Sequence, residues 1–373
     1  MKRWFLYIGA CLLAFVCFAC TDEMEADGNS KERSVKLQLQ LSLPMDASAR
    51  TTRITSDFEA GSKYENYINF NDENSYRIYF FDTNNNYIAR FIPSKTVMAE
   101  ATEYTLYSVE GEVPEDVLQR APNNAMDFKI VVLANWENYE EPKAGSTLKT
   151  ICNADWAQFE NLKFFELGEK NLIPFYGVNE YEDVPVQYGG TITLEESIPL
   201  LRAMAKVEVV LNKEDELNTE EMSFSNVTLH GYNSKGYCAP MNGAYPQNGH
   251  IGLHLVENKN EDNAIENTIS FLQTQSDNKK ETWIAYVPEY DNTSKGANAA
   301  YIELRFDIQT ETDEKDFVIH FADVQTDIEK TSFDITRNHL YRFNVTIDPK
   351  GNLAVEVNDW EEKYENDFNF GIQ

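Results

Sequence analysis

The sequence predicts an all-β fold. Three observations carry this. Short runs rich in β-branched and aromatic residues recur at near-regular spacing along a 373-residue chain with 22 Phe and 20 Tyr. Helical periodicity is scarce, and no strand–helix–strand rhythm appears. Val35-Lys36-Leu37-Gln38-Leu39-Gln40-Leu41-Ser42-Leu43 alternates apolar and polar without a break, which puts Val35, Leu37, Leu39, Leu41 and Leu43 on one face of a strand.

The chain begins with Lys2 and Arg3, then a short apolar run from Trp4 to Ala19, the pattern of a removable leader over residues 1–19. Cys17-Phe18-Ala19-Cys20 resembles a bacterial lipobox, with Cys17 and Phe18 departing from the usual pattern. Acids follow at once in Thr21-Asp22-Glu23-Met24-Glu25, which resembles the surface-export signal of Bacteroidota lipoproteins. Cys20 is therefore the expected lipidation site, and the lipid would tether the chain to a membrane. After the alternating strand, Ala47-Ser48-Ala49-Arg50-Thr51-Thr52-Arg53 offers Arg50 and Arg53 as trypsin-like cleavage points, with Arg33 as a third arginine upstream. Residues 20–53 thus read as a segment carrying a lipid anchor and a strand that a cut after arginine could free.

Further along, Ser75–Phe81 and Tyr87–Ile92 read as a hairpin around Asp82-Thr83-Asn84-Asn85-Asn86. Tyr104–Val109 is a strand, and Pro114–Leu118 a helical turn. Asp127–Asn135 is apolar enough for a strand buried on both faces. Thr147–Leu167 predicts a helix on the spacing of Leu148, Ile151, Cys152, Phe159 and Leu162, weakened by Asn153 and Asp155. Ile173–Gly177 reads as a short strand into a turn, and Pro185–Gly190 as a linker. The length suggests two domains, 54–196 and 197–373. In the second, Ile198–Leu211, Ser223–Tyr232, Thr282–Val287, Tyr301–Ile308, Phe317–Phe321 and Tyr341–Ile347 are strands. Pro349-Lys350-Gly351-Asn352 turns into Leu353–Val357. Phe368, Phe370 and Ile372 alternate at the C-terminus.

Composition excludes some functions. The net charge of −30, with 62 acidic against 32 basic residues, argues against nucleic-acid binding. No Gly-rich phosphate loop, Gly-x-Ser-x-Gly elbow or His-Glu-x-x-His occurs. His250 and His254 would share a strand face, with no third ligand placed near them. The stretch from Asp82 mimics a calcium loop but has Tyr87 at position six and Pro93 at position twelve. Glu195-Glu196 and Glu361-Glu362 read as solvated surface. No catalytic residue, metal site or cofactor is expected. Surface tyrosines and Trp360 leave a glycan-binding module as an alternative reading. Cys152 and Cys238 are expected as buried free thiols, with one bridge between them left open.

Several stretches together resemble the fimbrillin family of Bacteroidales type V pili. They are Ile173–Gly177, Leu200-Leu201-Arg202-Ala203-Met204-Ala205-Lys206-Val207-Glu208-Val209, Tyr286-Val287-Pro288-Glu289-Tyr290, Thr336-Arg337-Asn338-His339-Leu340-Tyr341-Arg342-Phe343 and Asp359-Trp360. The quoted side chains are expected to serve mainly core packing and turns, with Leu200, Ala203 and Val207 at the junction of the halves. The resemblance implies two transthyretin-like β-sandwich domains. It implies export as a lipoprotein to the outer membrane, removal of the N-terminal segment by an Arg-specific protease, and polymerisation with copies of itself or related pilus subunits by donor-strand exchange. Val35–Leu43 would then be the strand removed, and Phe368, Phe370 and Ile372 the donor. The second Cys soon after Cys20 that is associated with anchor subunits is missing, which turns the expectation toward a stalk or tip subunit, with a non-polymerising anchor, which would keep its own first strand and its lipid, as the alternative.

Overall fold

The computed structural model describes residues 34–358 apart from 45–62, 71–74, 101–103, 122–123, 137–140, 153–154, 157–167, 169–170, 214–221, 234, 244–251, 257–267, 278, 297–298, 309–314, 322–332 and 348–352. Cys20, Arg50, Arg53, Phe368, Phe370 and Ile372 lie outside the described residues.

In chain order the strands are β1 (Lys36–Pro44), β2 (Tyr76–Phe81), β3 (Tyr87–Phe91), β4 (Pro93–Glu100), β5 (Tyr104–Glu112), β6 (Ala125–Ala134), β7 (Asp155–Trp156), β8 (Phe175–Pro185), β9 (Thr191–Thr193) and β10 (Ile198–Arg202). They continue as β11 (Ala205–Asn212), β12 (Met222–His230), β13 (Gly236–Tyr237), β14 (Thr268–Ser270), β15 (Leu272–Ser276), β16 (Lys280–Val287), β17 (Tyr301–Ile308), β18 (Lys315–His320), β19 (Leu340–Ile347) and β20 (Leu353–Asn358). Two short helices, α1 (Glu115–Leu118) and α2 (Leu148–Cys152), complete the regular elements among the described residues apart from 3₁₀ turns. The all-β expectation holds.

β1 to β6 and β8 to β10 form a nine-stranded sheet in the order β3-β2-β6-β8-β10-β1-β5-β4, with β9 also on β1. The ends of that order are consecutive in the chain, because only Ile92 separates β3 from β4. One bent stretch therefore pairs with β2 through its first half and with β5 through its second. β10 bends likewise, pairing with β1 at Ile198 and Pro199 and with β8 from Leu200 to Arg202. Strands that pass from one layer to the other make the corners of a sandwich, and here they close the strand order into a ring. The division expected from the sequence at 196/197 falls just before β10. Ile198–Arg202 bonds into the first sheet, because its apolar residues fill the space beside β1 and β8.

Of the remaining strands, β7 pairs with β13, and the others form a five-stranded sheet, β15-β16-β11-β19-β20, and a four-stranded sheet, β14-β12-β17-β18. Again one bent stretch joins the two, since only Phe271 separates β14 from β15. Edge-to-face aromatic contacts tie the interiors together. Phe80 meets Phe91 and Phe128 in the first half, and Phe321 meets Phe343 and Phe333 in the second.

The Tyr76–Phe81 hairpin follows the sequence. The Asp82 carboxylate accepts from the Asn84 and Asn86 amides, and Asn85 takes a left-handed φ of 64°. Three expectations need correction. Of the helix read over 147–167, the described residues show α2, five residues long. Asp155 and Trp156 instead pair with Tyr237 and Gly236, and Asn153 and Asp155 are residues whose side chains compete with helical bonding. Ile173–Gly177 is no short strand into a turn, since β8 runs on for 11 residues. Gly177 sits inside it because a Cβ there would lie 2.5 Å from Leu200 Cδ2. His254, read as an exposed strand histidine, is a buried residue outside any strand, stacked on Tyr237 and bonded through Nδ1 to the Ala239 carbonyl.

Candidate functional site

β1 is a near-ideal half-buried strand in sequence, and the fold uses it as an internal one. Val35, Leu37, Leu39, Leu41 and Leu43 are all completely buried. Along one side, nine residues pair antiparallel with β5, from Lys36 opposite Glu112 to Pro44 opposite Tyr104. Along the other, Lys36–Gln38 run parallel to β9, and Leu41 and Ser42 run parallel to Ile198 and Pro199 of β10. The expected linker closes over the start of the strand. The Lys36 amide donates to the Gly190 carbonyl at 3.0 Å, and the Gly189 amide to the Ser34 carbonyl at 2.8 Å. Ser197 Oγ donates to Ser42 Oγ at 3.2 Å. Five fully buried aliphatic side chains correspond to a gross apolar gain on the order of 10 kcal/mol. Withdrawing β1 would expose the first core and leave two sheet edges unpaired. All the slot's walls, β5, β9 and β10, lie after Arg53 in the chain.

The second constellation is polar and lies where the halves meet. On β11, Lys206 lies opposite Tyr286 of β16, and Glu208 opposite Arg342 of β19. Their neighbours Ala205, Val207 and Val209 are buried as well, so β11 is covered on both faces. A 3₁₀ turn at Lys63–Asn66 brings Glu65 onto the polar face. Lys206 Nζ lies 2.9 Å from Glu65 Oε1 and 3.7 Å from Glu208 Oε2. Arg342 Nε donates to Glu208 Oε1 at 2.7 Å, and the Tyr286 hydroxyl donates to Glu65 Oε1. Burial, reinforced by the Glu65 carboxylate, holds the Tyr286 hydroxyl well above the usual tyrosine range.

Arg202, at the end of β10, ties the first sheet into this cluster. It donates to the Glu65 carbonyl at 3.3 Å, to Asn66 Oδ1 and to Asn338 Oδ1 at 3.2 Å, and lies over the Phe175 ring. Asn338 takes a left-handed φ of 59°, as short polar residues tolerate, and its amide donates to the Met204 carbonyl. Beside it, the fully buried Arg337 donates to Glu289 Oε2 and to the Cys238 carbonyl, each at 2.7 Å. Cys152 and Cys238 are both buried and free. Burial pushes the Cys152 thiol up to about 12 and Cys238 well above its usual range, so neither is a nucleophile at neutral pH.

Leu200, Ala203 and Val207 are buried, as expected. The sequence reading missed the ionic network itself. Its members Arg202, Lys206, Glu208, Tyr286, Glu289, Arg337, Asn338 and Arg342 all come from the stretches singled out for family resemblance. Only Glu65 and Asn66 come from elsewhere.

A ring of strands closed around an internal first strand, and a charged seam that fixes one half on the other, define a structural protein of β-strands. The chain belongs to the family of fimbrillin-A associated anchor proteins Mfa1 and Mfa2, whose model matches residues 45–366. This is a family of pilus-associated structural proteins, found with surface fimbriae, and not an enzyme family. No curated protein matches the chain. Among solved structures, a fimbrial assembly protein from Parabacteroides distasonis is 12% identical with a TM-score of 0.49, over 88% of this chain and 97% of that one. The fimbrial anchor protein Mfa2 from Porphyromonas gingivalis is 9% identical with a TM-score of 0.38, over 88% of this chain and 98% of that one. At these scores the likenesses stand beside the family match without adding to it.

Proposed function

We propose that this chain is a fimbrial anchor subunit that keeps its first strand. Cys20 carries the lipid that holds it at the outer membrane, and β1 stays in its slot between β5 and β10. The observation that supports this reading is the completeness of the β1 slot, with five side chains fully buried and both backbone edges paired. The description of the matched family as anchor proteins points the same way. The alternating Phe368, Phe370 and Ile372 would then serve a neighbouring subunit as a donor strand, by β-strand addition. The chain would divide into an N-terminal unit up to β10 and a C-terminal unit from β11.

A second reading has its own support. Every wall of the slot lies after Arg53, so a cut by an Arg-specific protease after Arg50 or Arg53 would sever β1 from all its partners. Exchange of β1 for a neighbour's donor strand would then give a polymerising stalk or tip subunit. Intact mass of the chain recovered from surface fimbriae separates the two. A lipid-bearing chain beginning at Cys20 is expected. A chain beginning at Thr51 or Ile54 would overturn the anchor reading in favour of the second. An unlipidated chain that still contains β1 would overturn both.

A further inference from the structure

β4 is exposed in a way that no other part of the first sheet matches. One side of its backbone pairs with β5, and among the described residues no strand pairs with the other side. Its register sets Thr96 opposite Val109, Val97 opposite Ser108 and Met98 opposite Tyr107. Thr96 and Met98 therefore share the face on which Val109 and Tyr107 are buried. Met98 is nevertheless 55% exposed, Val97 on the opposite face is 47% exposed, and Ile92 at the corner is 56% exposed. Natural edges are blunted by prolines, bulges or charges, lysine above all, and β4 gathers its own at one end. In β4 the proline is Pro93, at the start, and the bulge falls between Pro93 and Lys95. Lys95 to Ala99 then run on regularly with one charge among them.

We infer that the free edge of β4 is a self-association surface, pairing antiparallel with β4 of a second copy across a twofold axis through Val97. Two features of the strand select a second copy as the occupant. The first is charge. The chain carries −30, yet residues 92–99 contain no acid and one lysine, so two copies can approach here without the repulsion they meet across an acidic surface. The second is register. Backbone groups facing a free edge alternate, so only positions two, four or more apart, or a position and its own copy, can lie directly opposite. An axis through Val97 sets Val97 on Val97, Thr96 on Met98 and Lys95 on Ala99 of the second copy. Apolar positions meet on both faces and the two lysines stay apart. Such a pairing is isologous and closes at two copies. One strand edge buries much less than the roughly 1,000 Å² of a stable interface, so the association is weak and strengthens with added salt as the net repulsion is screened.

The test uses the full chain with Cys11, Cys17 and Cys20 changed to Ser, which leaves only the buried Cys152 and Cys238. Val97→Cys is expected to form a disulfide dimer on mild oxidation, several-fold more than Lys95→Cys, whose thiols do not face each other. The pair Lys95→Cys with Ala99→Cys should restore cross-linking. In sedimentation velocity the parent should show a concentration-dependent dimer fraction, and Val97→Lys, with like charges on the axis, should stay monomeric at an unchanged Tm. Three results would overturn the inference. They are a parent that is monomeric up to its solubility limit, equal cross-linking by Val97→Cys and Lys95→Cys, or self-association unaffected by Val97→Lys. Cross-linking of Val97→Cys on cells only to species of another mass would assign the edge to a different partner and overturn it equally.

Discussion

Lys206→Met should destabilise the folded chain by about 3–5 kcal/mol, the usual cost of removing one partner of a buried ion pair. Lys206 Nζ stands between Glu65 Oε1 at 2.9 Å and Glu208 Oε2 at 3.7 Å, and all three side chains are at least 95% buried. Without the ammonium, two carboxylates share a dry site. Glu208 keeps Arg342, and Glu65 keeps the Tyr286 hydroxyl. At roughly 2–4 °C per kcal/mol for chains of some 150–250 residues, Tm should fall by about 10 °C. Adding Glu65→Gln removes the uncompensated charge, so the double variant should recover much of the loss, with a coupling free energy of about 2 kcal/mol in the cycle. Urea unfolding followed by tryptophan fluorescence reads all four corners. Repeating it in 1 M salt should change little, because buried pairs are screened weakly. A loss under about 1 kcal/mol for Lys206→Met, the range of exposed pairs, or strict additivity in the cycle, would refute the buried seam.

Leu39→Ala, in the middle of β1, should destabilise by about 2–5 kcal/mol, since Leu39 is completely buried; thermal unfolding unchanged from wild type would show that the slot does not depend on it. Gly177→Ala should lower stability by about 1–3 kcal/mol, because its Cβ would meet Leu200 Cδ2 at 2.5 Å and the Pro199 carbonyl at 3.0 Å; an unchanged Tm would mean β10 can shift. Cys152 and Cys238 should resist a thiol reagent at pH 8 in the folded chain and react fully in denaturant, and rapid labelling without denaturant would contradict their burial. Burial raises Tyr341 to about 12 from 10.0 and holds Tyr176 well above its usual range. Between about pH 10 and 12 the unfolded chain has lost protons that the folded chain keeps, so stability is intact below pH 10 and falls as pH rises through that window. Chemical denaturation at pH 8, 10 and 11 checks the sign, and a rise in stability would refute it.

β1 was legible because it has one buried face, and alternation alone then fixes which side chains go inside. The same logic located Tyr341–Ile347, whereas Tyr76–Phe81 and Thr282–Val287, buried almost throughout, were legible as aromatic and β-branched runs. The ring was not legible. It depends on which strands pair, and β1 finds its partners across dozens of residues. The corners at Ile92 and Phe271 look in sequence like ordinary apolar residues within one strand or between two. For the seam a signal existed. Lys206 and Glu208 sit inside the apolar run Ala203–Leu211, where charges are retained only with partners. Glu65 gave none, since it lies in a polar stretch, and only the 3₁₀ turn delivers it to Lys206. Past α2 the predicted helix gives way at Asp155 and Trp156, which pair as a strand, and there the local chemistry of Asp155 outweighs the spacing of apolar residues.

The first strand of the ring is also the first to be made. Lys36 pairs with Glu112, and the Ser42 hydroxyl meets that of Ser197, 155 residues later. During synthesis, β1 has no edge to join until β5 has emerged, and its second edge is missing until β9 and β10 follow. Contacts of such separation are formed slowly, commonly on millisecond-to-second timescales even in small β domains. Ring closure is therefore a late event in folding. Before it, the leucine face of β1 is open to whatever chaperone, protease or competing strand reaches it first, and the order of arrival decides the fate of the chain.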